Sequence, residues 1–182
     1  MKLDGLQRKP KKQPFMLDVG CGHLYEGDVN IDLFIEATAH RSLEADMRTN
    51  TDIKLSGVPN LIQADCGSTS FRFLPIKDSV FDVAVSNHLV EHIDEPFKLL
   101  KEMVRVTKPD GLIRVTTPHK LSHNRKWIMH KHSFNLAWFL KAFRVLSVEL
   151  VGSKKSYKYI PHDYFPLFRV PYFIQVLGRV KK

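Results

Sequence analysis

The stretch Leu17-Asp18-Val19-Gly20-Cys21-Gly22 constrains this chain more than any other: a short apolar run that ends in a Gly-x-Gly turn. Glycines at the end of a buried strand let the backbone come within contact distance of a ligand, because no Cβ intervenes. A tight turn in any α/β protein reads the same way, so the turn gains meaning only from its surroundings. Further β-branched or aliphatic runs follow at 28–32, 60–64, 81–85 and 111–117, and two more at 145–151 and 172–179. Helical patterns lie between them. Asp94 is a good N-cap ahead of Glu95-Pro96, and Phe97, Leu100, Met103 and Val104 make an apolar stripe closed by Lys108-Pro109-Asp110-Gly111. A second helix is predicted over about 133–143, with Leu136, Phe139, Leu140 and Phe143 on one face. Strands that alternate with helices predict a mostly parallel α/β sheet. The polar segment 34–59 reads as an irregular helix plus loop. The aromatic and proline-rich segment 157–171 shows no helical pattern and is expected to make an excursion over the sheet edge.

Acids mark the ends of the early strands. Asp32 closes the second, where a carboxylate can accept both hydroxyls of a ribose, and Asp65 closes the third, where one can face the exocyclic amine of adenine. Each alone is more often a turn or cap residue. With Asp18 inside the first strand, however, acids occur in three successive strands of an open parallel sheet, whose ligands bind at those ends. A dinucleotide fingerprint would require a third glycine where Tyr25 stands, and an acid about 20 residues on rather than the ten that separate Gly22 from Asp32. NAD binding is therefore disfavoured.

Six segments, in order, resemble the class I methyltransferases, in particular the small type 11 domains. Leu17–Gly22 is similar to their first motif, Asn30-Ile-Asp32 to their ribose-binding acid and Ile62-Gln-Ala-Asp65 to their adenine-side motif. Leu74-Pro-Ile-Lys-Asp-Ser-Val-Phe-Asp82 is similar to their approach to strand four, Ser86-Asn-His-Leu-Val-Glu-His92 to its exit, and Glu102-Met-Val-Arg-Val-Thr-Lys-Pro-Asp-Gly111 to the end of the following helix. The resemblance covers roughly residues 15–151. It implies a Rossmann-like three-layer sandwich with a seven-stranded, mostly parallel sheet whose last strand is antiparallel, and S-adenosyl-L-methionine as cofactor. The implied cofactor contacts are Gly20, Cys21, Gly22, Asp32, Leu33, Asp65, Cys66, Asn87 and His88, with Asp18 supporting the methionine amine. Two departures stand out. The stretch from Gly22 to Asp32 is too short for a full first crossover helix, and Asp110 replaces the first glycine of the family's Gly-Gly turn while Gly111 is kept.

Methyl transfer needs a base only when the acceptor must lose a proton, since alignment of the acceptor supplies much of the rate. Histidines follow strand four (His88, His92) and strand five (His119, His123, His130, His132). Most such residues are surface or packing groups, but His88, His119 and His132 are the candidate catalytic residues, lining an acceptor pocket. His92 has at least as good a structural or cofactor-side reading. His130-Lys-His132 lacks an acidic or cysteine partner at convincing spacing, so no metal is expected. Cys21 and Cys66 are too few for a disulfide scaffold and are expected to be reduced thiols.

The length of 182 residues suits one domain, 1–182, with a basic extension at 1–14 and an insertion at 152–171 between the last two strands. The first strand begins about fifteen residues in, so acceptor specificity is expected from the loops after strands four and five and from that insertion, where Tyr157, Tyr159, Tyr164, Phe165 and Phe168 are interleaved with lysines and arginines. Lysine and arginine outnumber acids 28 to 19, for a net charge of +9, which suits acidic partners. A small-molecule acceptor is expected, with an RNA methyltransferase as the alternative. Ser-Asn-His at the strand-four exit lacks the Asn/Asp-Pro-Pro-Tyr/Phe signature of base-amine enzymes, and no cysteine nucleophile stands there. A third reading, of another class, is a non-catalytic partner subunit that binds the cofactor. No run approaches the roughly 20 apolar residues of a membrane span, and the lysines of the N-terminus precede no apolar signal region, which points to the cytoplasm. The oligomeric state is left open.

Overall fold

The computed structural model of the chain describes residues 13–22, 25–33, 58–66, 76–122, 130–162 and 165–181, the side chains of 157–171 excepted. Most of the basic N-terminal extension, most of 34–59, Leu74-Pro75, His123 and the side chains of the aromatic segment lie outside the described residues. Seven strands form one sheet: β1 (Met16–Val19), β2 (Val29–Asp32), β3 (Leu61–Gln63), β4 (Phe81–Asn87), β5 (Thr107–Pro118), β6 (Val148–His162) and β7 (Phe165–Val180). Their order is β3-β2-β1-β4-β5-β7-β6. All neighbouring pairs from β3 to β5 are parallel, and β7 runs antiparallel to both β5 and β6. This is the expected Rossmann-like sheet with an antiparallel last strand.

The centre of the sheet is apolar because a parallel strand is buried on both faces. Leu17, Val19, Val29, Ile31, Ala84, Val85, Ile113 and Val115 are fully buried. Two helices are seen among the described residues, α1 (Pro96–Val106) and α2 (Leu136–Val145). In α1, Pro96, Leu99, Leu100, Met103 and Val106 are buried, a stripe at helical spacing. Burying each large apolar side chain contributes about 1.5–3 kcal/mol. The stripe differs from the predicted one: Phe97 is 39% exposed, and Leu99 and Val106 take the inward face.

The helix caps also differ. Glu95, not Asp94, is the N-cap of α1 and makes no side-chain cap bond, while the Asp94 carboxylate accepts from Lys131 Nζ at 2.6 Å. α2 starts at Leu136 because Asn135 caps it, accepting the Trp138 N–H at 3.0 Å, and it runs through Val145, which the sequence reading placed in a strand. α1 ends four residues before Asp110-Gly111. Asp110 adopts φ +62°, and a Cβ on Gly111 would meet the Asp82 carbonyl oxygen at 2.8 Å, so close approach demands glycine there. Of the stretch 152–171, read from the sequence as an insertion, residues 152–162 and 165–171 are backbone-paired as the outer part of a long β6–β7 hairpin, with register shifts at 150/152, 156/157 and 160/162. No helix among the described residues is long and apolar enough to cross a membrane.

Candidate cofactor and acceptor site

From β1 the chain proceeds outward through β2 to β3, then returns to β4 on the other side of β1. The strand order therefore reverses between β1 and β4, and a crevice at that switch point is where open α/β sheets bind ligands. The turn after β1 and the exit of β4 meet there. Gly20 (φ +72°) and Gly22 (φ +51°) both take the left-handed conformation that favours glycine. A Cβ on Gly20 would lie 2.8 Å from Leu89 Cδ2, whereas one on Gly22 would point into open space. The turn is held by β2: Gly20 and Cys21 donate their N–H groups to the Ile31 carbonyl at 2.8 and 3.0 Å, and Gly22 donates to Asp32 Oδ2 at 2.8 Å.

The connection from Gly20 to Asp28 is nine residues long, and no helix is present among those described, 20–22 and 25–28. Parallel strands are usually joined by a dozen residues or more. Side chains do the bracing here. Asp18 Oδ2 accepts the Glu26 N–H at 2.9 Å, Asp28 Oδ2 accepts the Met16 N–H at 2.9 Å, and buried Asn30 bonds Gly27 through both of its amide atoms. Glu26 then reaches across the sheet, accepting from Asn87 Nδ2 at 3.0 Å and from Arg114 Nη2. The register places Asp18, Val85 and Arg114 on one rung of β1, β4 and β5, so all three share a sheet face.

Burial dominates the electrostatics. Asp18 is 1% exposed, and its Oδ1 has no hydrogen-bond partner. Desolvation, aided by the charge of Glu26, pushes its carboxyl from 3.8 up to about 6, against the pull of the Glu26 N–H and Arg114. Cys21 and Cys66 are free thiols, as expected, and burial beside the Asp32 charge pushes each up to about 12. They stay protonated and are poor nucleophiles and poor metal ligands at neutral pH. Asp32 is buried at the end of β2. Asp65 is exposed just beyond β3, near enough for its charge to act on Cys66, and Leu33 is 39% exposed beside them, its carbonyl accepting from Gln63 Nε2.

Of the three candidate catalytic histidines, His88 and His132 both lie against Glu91, and His119 pairs with Phe134. His88 leaves β4 with φ +55°, its N–H donating to the Thr116 carbonyl; its ring lies edge-on to Phe173 at 4.7 Å, with Nδ1 3.3 Å from Glu91 Oε1. His119 is 5% exposed, and its Nδ1 accepts the Leu121 N–H at 3.2 Å. Burial, then Lys155 and Lys120, hold it below the usual histidine range. His132 places Nε2 3.2 Å from the Asp94 carbonyl oxygen. Of the three, His88 directly follows β4, whose exit meets the turn after β1. Sequence reasoning assigns no role to Glu26 or Arg114. A charge inside the apolar run Leu112-Ile-Arg-Val115 was the available signal, since such a residue needs a partner once it is half-buried.

This fold and turn define a Rossmann-like α/β class of protein. A family model described as a methyltransferase domain matches residues 17–115, and the chain belongs to that family. S-adenosylmethionine is the cofactor of its members. A Mycolicibacterium smegmatis protein named as an S-adenosylmethionine-dependent methyltransferase is 26% identical over 107 residues, 59% of this chain and 39% of that protein. Shorter matches to uncharacterized mycobacterial methyltransferases span only 15–16% of those relatives. Among solved structures, a Bacillus halodurans protein assigned to the methyltransferases superposes with a TM-score of 0.66 at 13% identity, covering 94% of each chain. The [4+2]-cyclase SpnF superposes with a TM-score of 0.60 at 17% identity, covering 91% of this chain and 74% of that one. At such identities the likeness shows the fold alone.

Proposed function

We propose that this chain transfers a methyl group from S-adenosyl-L-methionine to a small-molecule acceptor at the crevice between the ends of β1 and β4. The observation that carries the reading is the turn itself: Gly22 is held by Asp32 and left open where a Cβ would stand. The residues fit the cofactor. Asp32 would take the ribose hydroxyls and Asp65 the adenine amine, with Leu33, Cys66 and Asn87 alongside. Gly20, Cys21 and Gly22 would carry the backbone against it. The orphaned Oδ1 of buried Asp18 suits a cationic amine, which would compensate a carboxylate that otherwise pays for its burial. The bound cofactor supplies an already activated sulfonium methyl. The chain's part is to align the acceptor and, where the acceptor carries a proton, to remove it. His88 is the candidate base, because it directly follows β4, whose exit meets the turn after β1. His119, with Nδ1 already engaged, and His132, against the Asp94 carbonyl, would shape the acceptor side. A cytoplasmic location belongs to the same reading.

The test is a calorimetric titration with S-adenosylhomocysteine beside NADH on wild type and Asp32→Ala. Selective binding that Asp32→Ala weakens tenfold or more, about 1.4 kcal/mol, is expected. Absence of binding overturns the reading, and tight binding with no turnover on any acceptor moves the non-catalytic partner subunit to first place. An RNA acceptor is the second reading, favoured by exposed Lys154 and Lys155 on β6 and the charge of +9. It requires binding of RNA that falls steeply with salt.

A further inference from the structure

Beside the crevice, the turn after β4 and the extended segment that begins at His130, after β5, bring three ligand-type side chains together. Atoms of Glu91, His92 and His130 that can bind a metal all lie within 4.8 Å of one another. We propose that these three residues bind a divalent transition-metal ion of the zinc type. Ligands around a tetrahedral zinc ion sit about 3.3 Å apart, given metal–ligand lengths of about 2.0–2.1 Å. The ligand atoms would draw together toward that spacing when the ion binds.

Three observations support a built site. Glu91 is 1% exposed, and its Oε1 makes no hydrogen bond: His88 Nδ1 approaches to 3.3 Å without the geometry of one. A buried carboxylate costs free energy unless a positive charge or donors face it. Its Oε2 is fixed by the Thr117 hydroxyl at 3.0 Å, so the carboxylate is oriented from behind by β5, as metal-binding carboxylates are. The backbone also holds the two halves of the cluster in register. Lys131 and His132 donate their N–H groups to the Glu91 carbonyl at 2.8 and 3.2 Å, and the His92 and His130 rings meet edge to face at 4.7 Å. Two imidazoles and a carboxylate are a donor set that zinc takes with a further position left for water or substrate. Among the described residues no cysteine belongs to the cluster. The carboxylate has room for Thr117, His88 and an ion together, since it offers about four lone-pair sites. The sequence reading found no acid spaced for His130; the acid comes from a different loop, 39 residues earlier.

The site does not depend on the methyl-transfer reading, and its test does not use turnover. Chelator-treated full chain is titrated with Zn2+ by calorimetry and with Co2+ by visible absorption, while S-adenosylhomocysteine binding is measured on the same preparation. One equivalent of Zn2+ is expected. His130→Ala should weaken its binding at least about 100-fold, the upper end of what losing an outer partner alone costs, with a circular dichroism spectrum like that of wild type. The wild-type Co2+ spectrum should show a low-symmetry nitrogen and oxygen site without a thiolate charge-transfer band, which tests the ligand set even where a variant fails to fold. No stoichiometric uptake, a thiolate band, or unchanged affinity in a folded His130→Ala chain would each overturn the proposal, whatever the S-adenosylhomocysteine titration shows.

Discussion

Asp18 carries a pH dependence that follows from its burial. Its folded pKa of about 6 lies above the ordinary 3.8, so between those values the folded chain keeps a proton that the unfolded chain has lost. Stability therefore falls as pH rises through that window and stays lower above it. In Asp18→Asn the effect disappears. Urea denaturation is expected to give similar stabilities for the two proteins near pH 4, and an advantage on the order of 2–3 kcal/mol for Asp18→Asn at pH 7.5. Parallel pH profiles would show that Asp18 is not the buried, singly bonded carboxylate described. At Gly20 the argument is steric. An added Cβ would sit 2.8 Å from Leu89 Cδ2 in a left-handed backbone, so Gly20→Ala should cost about 1–2 kcal/mol and disturb the turn and the β4 exit together. Thermal unfolding with and without S-adenosylhomocysteine checks both halves of that expectation.

Among the elements, α2 and the β6–β7 hairpin depend on each other. A Cβ at Gly178 would lie 2.4 Å from Val148 Cγ1 and 2.7 Å from Phe143 Cε2, so the helix can reach the sheet only over a glycine. Gly178→Ala is expected to destabilise the chain by about 1–3 kcal/mol through overpacking. Asn135→Ala, which removes the α2 cap, should cost about 1 kcal/mol. Denaturant midpoints of the two variants measure both, and a Gly178→Ala chain as stable as wild type would mean that the helix is less tightly seated. The family motif around Glu102 and Arg105 also acts at this scale. Arg105 bonds Glu102, Asp78 and the Ile76 carbonyl, and Lys108 bonds Asp82, whose other oxygen accepts the Phe15 N–H. These side chains tie α1 and the approach to β4 to the start of β1. They position the crevice rather than touch a ligand.

For the whole molecule, a ligand that binds only the folded state adds stability by mass action. S-adenosylhomocysteine at 100 times its dissociation constant should stabilise the chain by about 2.7 kcal/mol, a rise in Tm of about 5–11 °C for a chain of this size. The same concentration should shift Asp32→Ala much less. An equal shift in both proteins would place the ligand away from the end of β2.

The sequence by itself determined the order and class of the elements and the residues around the turn, because these depend on local pattern: apolar runs, glycines at a strand end, acids at strand exits, and spacings within one segment. The strands at 16–19, 29–32 and 81–87 were legible for that reason, while the antiparallel direction of β7 followed only from the resemblance to the family. Only the tertiary structure decided which distant groups meet. Glu26 joins Asn87 and Arg114 across 61 and 88 residues, Glu91 comes up against His130, and 152–162 and 165–171 pair in a hairpin instead of leaving the sheet. Such contacts are fixed by strand order and register, which bring side chains together irrespective of their separation along the chain. No local periodicity encodes them.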